Sequence, residues 1–173
     1  MKALSFWKAV TMDKAGLLEE VFALLRERGI RFCVIGGQAV NAYVEPLVSL
    51  DLDIAVAVAQ IDPVRKLAEE RFHAEEFPHR LNISSPDSDL RVQIQTDPRY
   101  GEFVERASSR DVLGLNLPVA AIEDVIQGKI WAASDPTRRA TKRRKDLLDI
   151  ERILEAYASL RVRVPEEILR QLS

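Results

Sequence analysis

Two pieces of this 173-residue sequence could do chemistry together. The turn Gly36-Gly37 follows the apolar run Phe32-Cys33-Val34-Ile35, and Asp51-Leu52-Asp53 follows it after thirteen intervening residues. Glycine has no Cβ, so the backbone at such a turn can approach a phosphate closely. The first N–H groups of a helix starting there point at that anion. Side chains two apart on a strand share a face, so Asp51 and Asp53 project together. Adjacent carboxylates are hard oxygen ligands suited to Mg²⁺, which is commonly held by one or two carboxylates plus substrate phosphates. Each piece alone is ordinary in an α/β protein. Together they point to a site, because two aspartates opposite an apolar strand face are costly to bury without a cation or donors.

The surrounding elements must position these groups. Leu17, Leu18, Val21, Phe22, Leu24 and Leu25 form one helical stripe, which predicts a helix over 13–28, capped by Asp13 or Thr11 and ended by Gly29. Residues 30–35 read as a buried strand, 38–43 as a short helix and 50–58 as a second strand. On that second strand Leu50, Leu52, Ile54, Val56 and Val58 oppose Asp51, Asp53, Ala55 and Ala57. Asp62-Pro63 opens a helix to about Arg71. Residues 80–84 and 90–96 read as an antiparallel hairpin joined by Ser85-Pro86-Asp87-Ser88. Beyond Pro98 the reading is mostly helical: 100–108, then 122–133 and 137–157, with a short hairpin around Gly114 and a last short helix from Pro165. The expected fold is therefore α/β (α+β): a short mixed β-sheet core with flanking helices over 1–98, then a helical subdomain over 99–173 that completes a cleft.

Composition bounds the remaining possibilities. Apolar residues make up 47% and charged residues 30% of the chain, with a formal net charge of −2. This is a globular composition with no general pull toward nucleic acid or membrane. Cationic charge is concentrated: six of the eight residues from Arg138 to Lys145 are basic. A run of that kind is usually a solvated helix face, but it could also attract a triphosphate or an RNA. No stretch approaches the ~18 apolar residues of a membrane span, and Met1 to Ser5 lead into no signal-peptide core. The expected location is the cytoplasm. A single cysteine, Cys33, excludes a disulfide framework within the chain and reads as a small core residue. His73 and His79 lack nearby cysteines and suggest no metal site. Trp7 and Trp131 read as packing residues.

The order Gly-Gly, helix, Asp-x-Asp resembles the DNA polymerase β-type nucleotidyltransferase superfamily. The resemblance extends to its AbiE-type toxin branch, known from abortive-infection toxin–antitoxin systems. It is carried by Gly36-Gly37-Gln38-Ala39-Val40, Asp51-Leu52-Asp53, Lys129 on a later helix, and Lys145-Asp146-x-x-Asp149, over roughly residues 30–155. It implies a nucleotide site at Gly36, Gly37, Gln38, Lys129 and Asp146, with Lys129 and Asp146 on the far wall of the cleft. It implies Mg²⁺ or Mn²⁺ held by Asp51 and Asp53. The implied reaction is transfer of a nucleotide from a nucleoside triphosphate to a hydroxyl, with tRNA or another RNA as acceptor. An antitoxin protein is the implied partner.

Two positions depart from that pattern. Members of the superfamily carry a third carboxylate on a neighbouring strand, where this chain has Arg91, Gln93, Gln95 and Asp97 on the polar face. An amide is no general base and a poor Mg²⁺ ligand, which leaves Asp97, at the strand's end, as the third catalytic candidate beside Asp51 and Asp53. An arginine often found four residues before the first aspartate is replaced by Leu47. A second reading follows: a catalytically inactive nucleotide-binding or regulatory module of the same fold. A third, transfer to a small molecule such as an antibiotic, has no specific residue behind it.

Overall fold

The computed structural model describes residues 16–172. The expected caps Asp13 and Thr11, and Trp7, lie outside them. Helix α1 spans Leu17–Glu27 and buries all six residues of the stripe. Gly29, at φ +64°, turns the chain out of it through the left-handed region that only glycine adopts freely. Strand β1, Phe32–Ile35, is buried along its whole length. Helix α2 starts at once, over Gly36–Tyr43, so both glycines belong to its first turn.

Strand β2 covers Asp51–Val56. Leu52, Ile54 and Val56 are fully buried on one face, and Asp51 and Asp53 stand on the other. A 3₁₀ turn at Val58–Gln60 leads into α3, Ile61–Arg71. Three strands follow: β3 at His73–Phe77, β4 at Arg80–Ser84 and β5 at Arg91–Gln95. The expected β4–β5 hairpin is present, with Asn82 opposite Gln93 and Arg80 opposite Gln95. β3 was not expected. Its sequence His-Ala-Glu-Glu-Phe is polar because it is an edge strand, held by antiparallel pairing to β4 rather than by burial.

The segment expected as a helix over 100–108 is instead a 3₁₀ stretch, Pro98–Arg106. The small hairpin around Gly114 is longer than expected. β6, Ser108–Val112, pairs with β7, Leu115–Val119, and β7 runs parallel to β1 through Val34 and Val119. The result is one seven-stranded mixed sheet in the order β3-β4-β5-β2-β1-β7-β6, drawing on both halves of the chain. Helices α4, Ile122–Ser134, and α5, Ala140–Ala156, then pack on each other and on α2. A 3₁₀ turn at Ala158–Arg163 and the short α6, Glu166–Leu169, close the described chain. Among the described residues no helix is long and apolar enough to cross a membrane. Cys33 is wholly buried, and burial pushes its thiol up to about 12, so it packs and does not react.

Candidate active site

β2 lies at the centre of the sheet with β1 on one side and β5 on the other. Register places Asp53 opposite both Ile35, the last residue before the glycine turn, and Gln93. Asp51 lies opposite Arg91. The two aspartates therefore occupy one face, at the point where the chain leaves β1.

Gly36 fixes how close they come. Its φ is +68°, and a Cβ built on it would overlap Asp53 Oδ2 and stand 3.0 Å from Asp53 Cβ. The space that glycine leaves is filled by the carboxylate itself. Gly37 has open space around it and no unusual backbone angle.

The two carboxylates differ in partners. Asp51 Oδ1 accepts from Arg91 Nε at 3.0 Å, and Oδ2 lies 3.5 Å from Lys142 Nζ. Asp53 Oδ1 is enclosed and accepts no hydrogen bond. An ionised oxygen buried without a donor is costly. Burial, with Asp51 adding repulsion, pushes the Asp53 carboxyl up to about 6 against the pull of Lys129, Lys142 and Arg138. Shifts of this kind gather at functional sites.

The opposite wall of the cleft comes from α4 and α5. Gly128 and Lys129 line it from α4, and Arg138 and Asp146 line it from the α4–α5 connection and from α5. Lys129 is only 7% exposed. Its ammonium sits 3.1 Å from Asp146 Oδ1 and 2.8 Å from Asp149 Oδ2. Burial opposes that charge, but the two carboxylates outweigh it and hold the ammonium above its usual range. The spacing of three puts Asp146 and Asp149 on one side of α5, and Lys129 reaches both from the neighbouring helix. Arg138 adds a second, two-pronged pair to Asp146.

The remaining expected residues fall elsewhere. Gln38 is 2% exposed and turns inward, donating to Ser49 O at 3.4 Å and accepting from Asn41 Nδ2 at 3.2 Å. Asp97 caps the 3₁₀ stretch: its carboxylate accepts from the Arg99 backbone N–H at 3.0 Å and from the Arg99 guanidinium at 2.9–3.0 Å. It is not among the residues lining the cleft. Gln93 and Gln95 do line it, so the position beside Asp53 holds a neutral amide.

Residues that sequence pattern does not single out also face the cleft. Arg80, its guanidinium 4.5 Å from the Phe77 ring, stands opposite Gln95. Tyr100 contributes from the 3₁₀ stretch. Asp124, paired with Arg106 at 2.8 and 3.0 Å, contributes from the start of α4. Parity along the expected β4–β5 hairpin could have found Arg80. Nothing local marks Asp124.

The donor set can be tested against a divalent cation. Among the described residues no cluster of three or more His, Cys, Asp or Glu side chains stands ready to hold a metal. The pair Asp51 and Asp53, with the enclosed, unpartnered Asp53 Oδ1, fits the narrower case of two protein carboxylates completed by a substrate's phosphates.

A mixed sheet carrying a glycine turn beside two aspartates, walled by helices, defines the class: this is a nucleotidyltransferase fold. The antibiotic-resistance factor ANT(2″)-Ia superposes with a TM-score of 0.54 at 15% identity, over 85% of this chain and 90% of that one. LnuA, a lincosamide antibiotic adenylyltransferase solved with lincomycin bound, gives 0.51 at 14%, over 79% and 95%. JHP933 from Helicobacter pylori gives 0.52 at 19%, over 86% and 67%. At such identities the likeness is one of fold. No curated relative matches the sequence. A family described as "Nucleotidyl transferase AbiEii toxin, Type IV TA system" matches residues 38–172, and the chain belongs to that AbiEii family.

Proposed function

We propose that this protein transfers a nucleotide from a Mg²⁺- or Mn²⁺-bound nucleoside triphosphate to a hydroxyl on RNA, a tRNA end being the leading acceptor, as the cytoplasmic toxin of a toxin–antitoxin pair. The observation that carries the reading is the enclosed, donor-free Asp53 Oδ1 beside Asp51, facing Lys129 and Arg138 across the cleft. The acceptor hydroxyl attacks the α-phosphorus, the bond between that phosphorus and pyrophosphate breaks, pyrophosphate leaves, and the hydroxyl proton passes to solvent water. Asp51 and Asp53 would hold the metal, which when bound neutralises the phosphates and aligns the displacement. The first turn of α2 offers N–H groups to phosphate, and α4 and α5 complete the cleft. Lys129 would serve as fixed positive charge. With its ammonium held by two carboxylates, it contributes to the field of the cleft rather than as a mobile arm.

The test is to incubate each labelled triphosphate with Mg²⁺ or Mn²⁺ and total tRNA, for the wild type and Asp51→Asn. Label transfer that vanishes in the variant supports the reading. Transfer unchanged in the variant removes Asp51 from the mechanism.

A second reading has two observations of its own. Gln93 faces Asp53 where a third acid is expected, and Asp97 is occupied by Arg99. These favour a module that binds nucleotide without turning it over. Triphosphate binding with no transfer to any acceptor would support it.

A further inference from the structure

The loop between α2 and β2 delivers Asp51 to the site, and little apolar burial holds it. Leu47, Val48 and Leu50 are 49%, 63% and 43% exposed. A polar clamp takes the place of packing. Asn41, on α2, grips Leu47 on both sides: its Nδ2 donates to Leu47 O at 2.7 Å, and its Oδ1 accepts from Leu47 N at 3.0 Å. Gln38, a turn earlier, holds Ser49 O. The side chain that locks this bracket comes from 111 residues away. Arg152 Nη2 donates to Asn41 Oδ1 at 3.0 Å and to the Glu45 carbonyl. Its Nη1 donates to Asp149 Oδ1 at 2.8 Å. Asp149 is in turn one of the two buried carboxylates that hold Lys129, which lines the cleft.

We infer that Arg152 is a positioning residue for Asp51. It ties the loop before β2 to the buried charge network of α4 and α5, so the cation-binding carboxylate and the cationic wall are set by one guanidinium. The inference rests on the reading of Asp51 as a metal ligand. The chemistry of arginine suits this position. The Arg152 side chain is 13% exposed, and its planar fork serves a carboxylate on one prong and an amide and a carbonyl on the other. Neutral glutamine is too short to span the three acceptors. Lysine keeps the charge but offers a single nitrogen.

The experiment is a Mn²⁺ titration of the full chain followed by electron paramagnetic resonance, which reads free Mn²⁺ without any turnover. The variants are Asp51→Asn, Arg152→Gln, Arg152→Lys, Asn41→Ala and, as a control for lost stability, Ile153→Val. Arg152→Gln and Asn41→Ala are expected to weaken Mn²⁺ about 10-fold, in the range that supporting residues of metal ligands command. Arg152→Lys should recover part of that loss, and Ile153→Val should bind as wild type. Asn41→Ala leaves Arg152 on Asp149 and on the Glu45 carbonyl and tests the Leu47 clamp; where Arg152→Gln does not fold, Arg152→Lys carries the test of the guanidinium. Wild-type Mn²⁺ affinity in folded Arg152→Gln, or in Arg152→Lys where Arg152→Gln does not fold, with Asp51→Asn impaired, overturns the role of Arg152 alone. Normal affinity in Asp51→Asn as well overturns the reading of Asp51 and the inference with it.

Discussion

Asp53 occupies the space that a side chain on Gly36 would need: an added Cβ would overlap Oδ2 of the carboxylate. From sequence, the glycine turn reads as room for a phosphate. The structure gives Gly36 a second role, which is to let the acid stand against the first turn of α2. Gly36→Ala is therefore expected to fail twice. The left-handed backbone costs about 1–2 kcal/mol, and the displaced carboxylate should lower transfer at least ~10-fold. Gly37→Ala, with open space and ordinary helical geometry, should leave activity near wild type and match or slightly raise the melting temperature. Thermal melts and transfer assays on the pair check this.

The raised Asp53 carboxyl makes a signed prediction about pH. In the unfolded chain the group ionises near its ordinary value of 3.8, and in the fold at about 6. Below both values it is neutral in either state and carries no penalty. Between them folding opposes ionisation, so stability falls as pH rises, and above about 6 the full penalty remains. Asp53→Asn should therefore stabilise the metal-free protein at pH 7, by on the order of 2 kcal/mol, and should change little at pH 4. Denaturant midpoints at the two pH values test it. Metal needs the ionised form, so Mn²⁺ affinity should fall steeply below pH 6 in wild type.

Lys129 bridges two buried carboxylates, each of which also pairs with an arginine. Lys129→Met would leave Asp146 with Arg138 alone and Asp149 with Arg152 alone. Breaking one partner out of a buried charge set costs about 3–5 kcal/mol. A variant this far destabilised should show a clearly lower unfolding midpoint. Lys129→Arg is expected to fold better than Lys129→Met but below wild type, because the wider fork fits the enclosed site poorly. A midpoint for Lys129→Met equal to wild type would mean that the network stabilises nothing.

Gln93 stands in register with Asp53, where a carboxylate would share a cation. Gln93→Asp is expected to tighten Mn²⁺ binding several-fold and to push the Asp53 carboxyl further up by like-charge repulsion. Transfer that increases along with affinity would mean the amide limits turnover. Affinity unchanged would place Gln93 outside reach of the ion.

Local pattern makes much of this legible from sequence. The alternation Leu52-Asp53-Ile54 fixes which way Asp53 points, because the strand period is two. The α1 stripe fixes a helix by its period of 3.6. The spacing of Asp146 and Asp149 puts both on one side of α5. What escapes is held by partners distant in sequence. β3 is too polar to announce itself and exists through its pairing with β4. The hairpin around Gly114 is legible, but the place of β7 beside β1, some 85 residues earlier, is not. The bracket of Arg152 on Asn41 spans 111 residues, and no spacing rule reaches that far. Asp97 has the right parity, but its carboxylate is drawn to Arg99, two residues on.

The central claim is that Asp51 and Asp53 together clamp a divalent cation against a polyphosphate beside Gly36. A crystal grown with Mn²⁺ and a non-hydrolysable nucleoside triphosphate tests it directly through the anomalous signal of the metal. The expected result is one Mn²⁺ peak about 2.1 Å from an oxygen of each aspartate, with the triphosphate reaching the first turn of α2. A triphosphate seated away from that turn, or a Mn²⁺ peak that neither Asp51 nor Asp53 touches, would contradict the account.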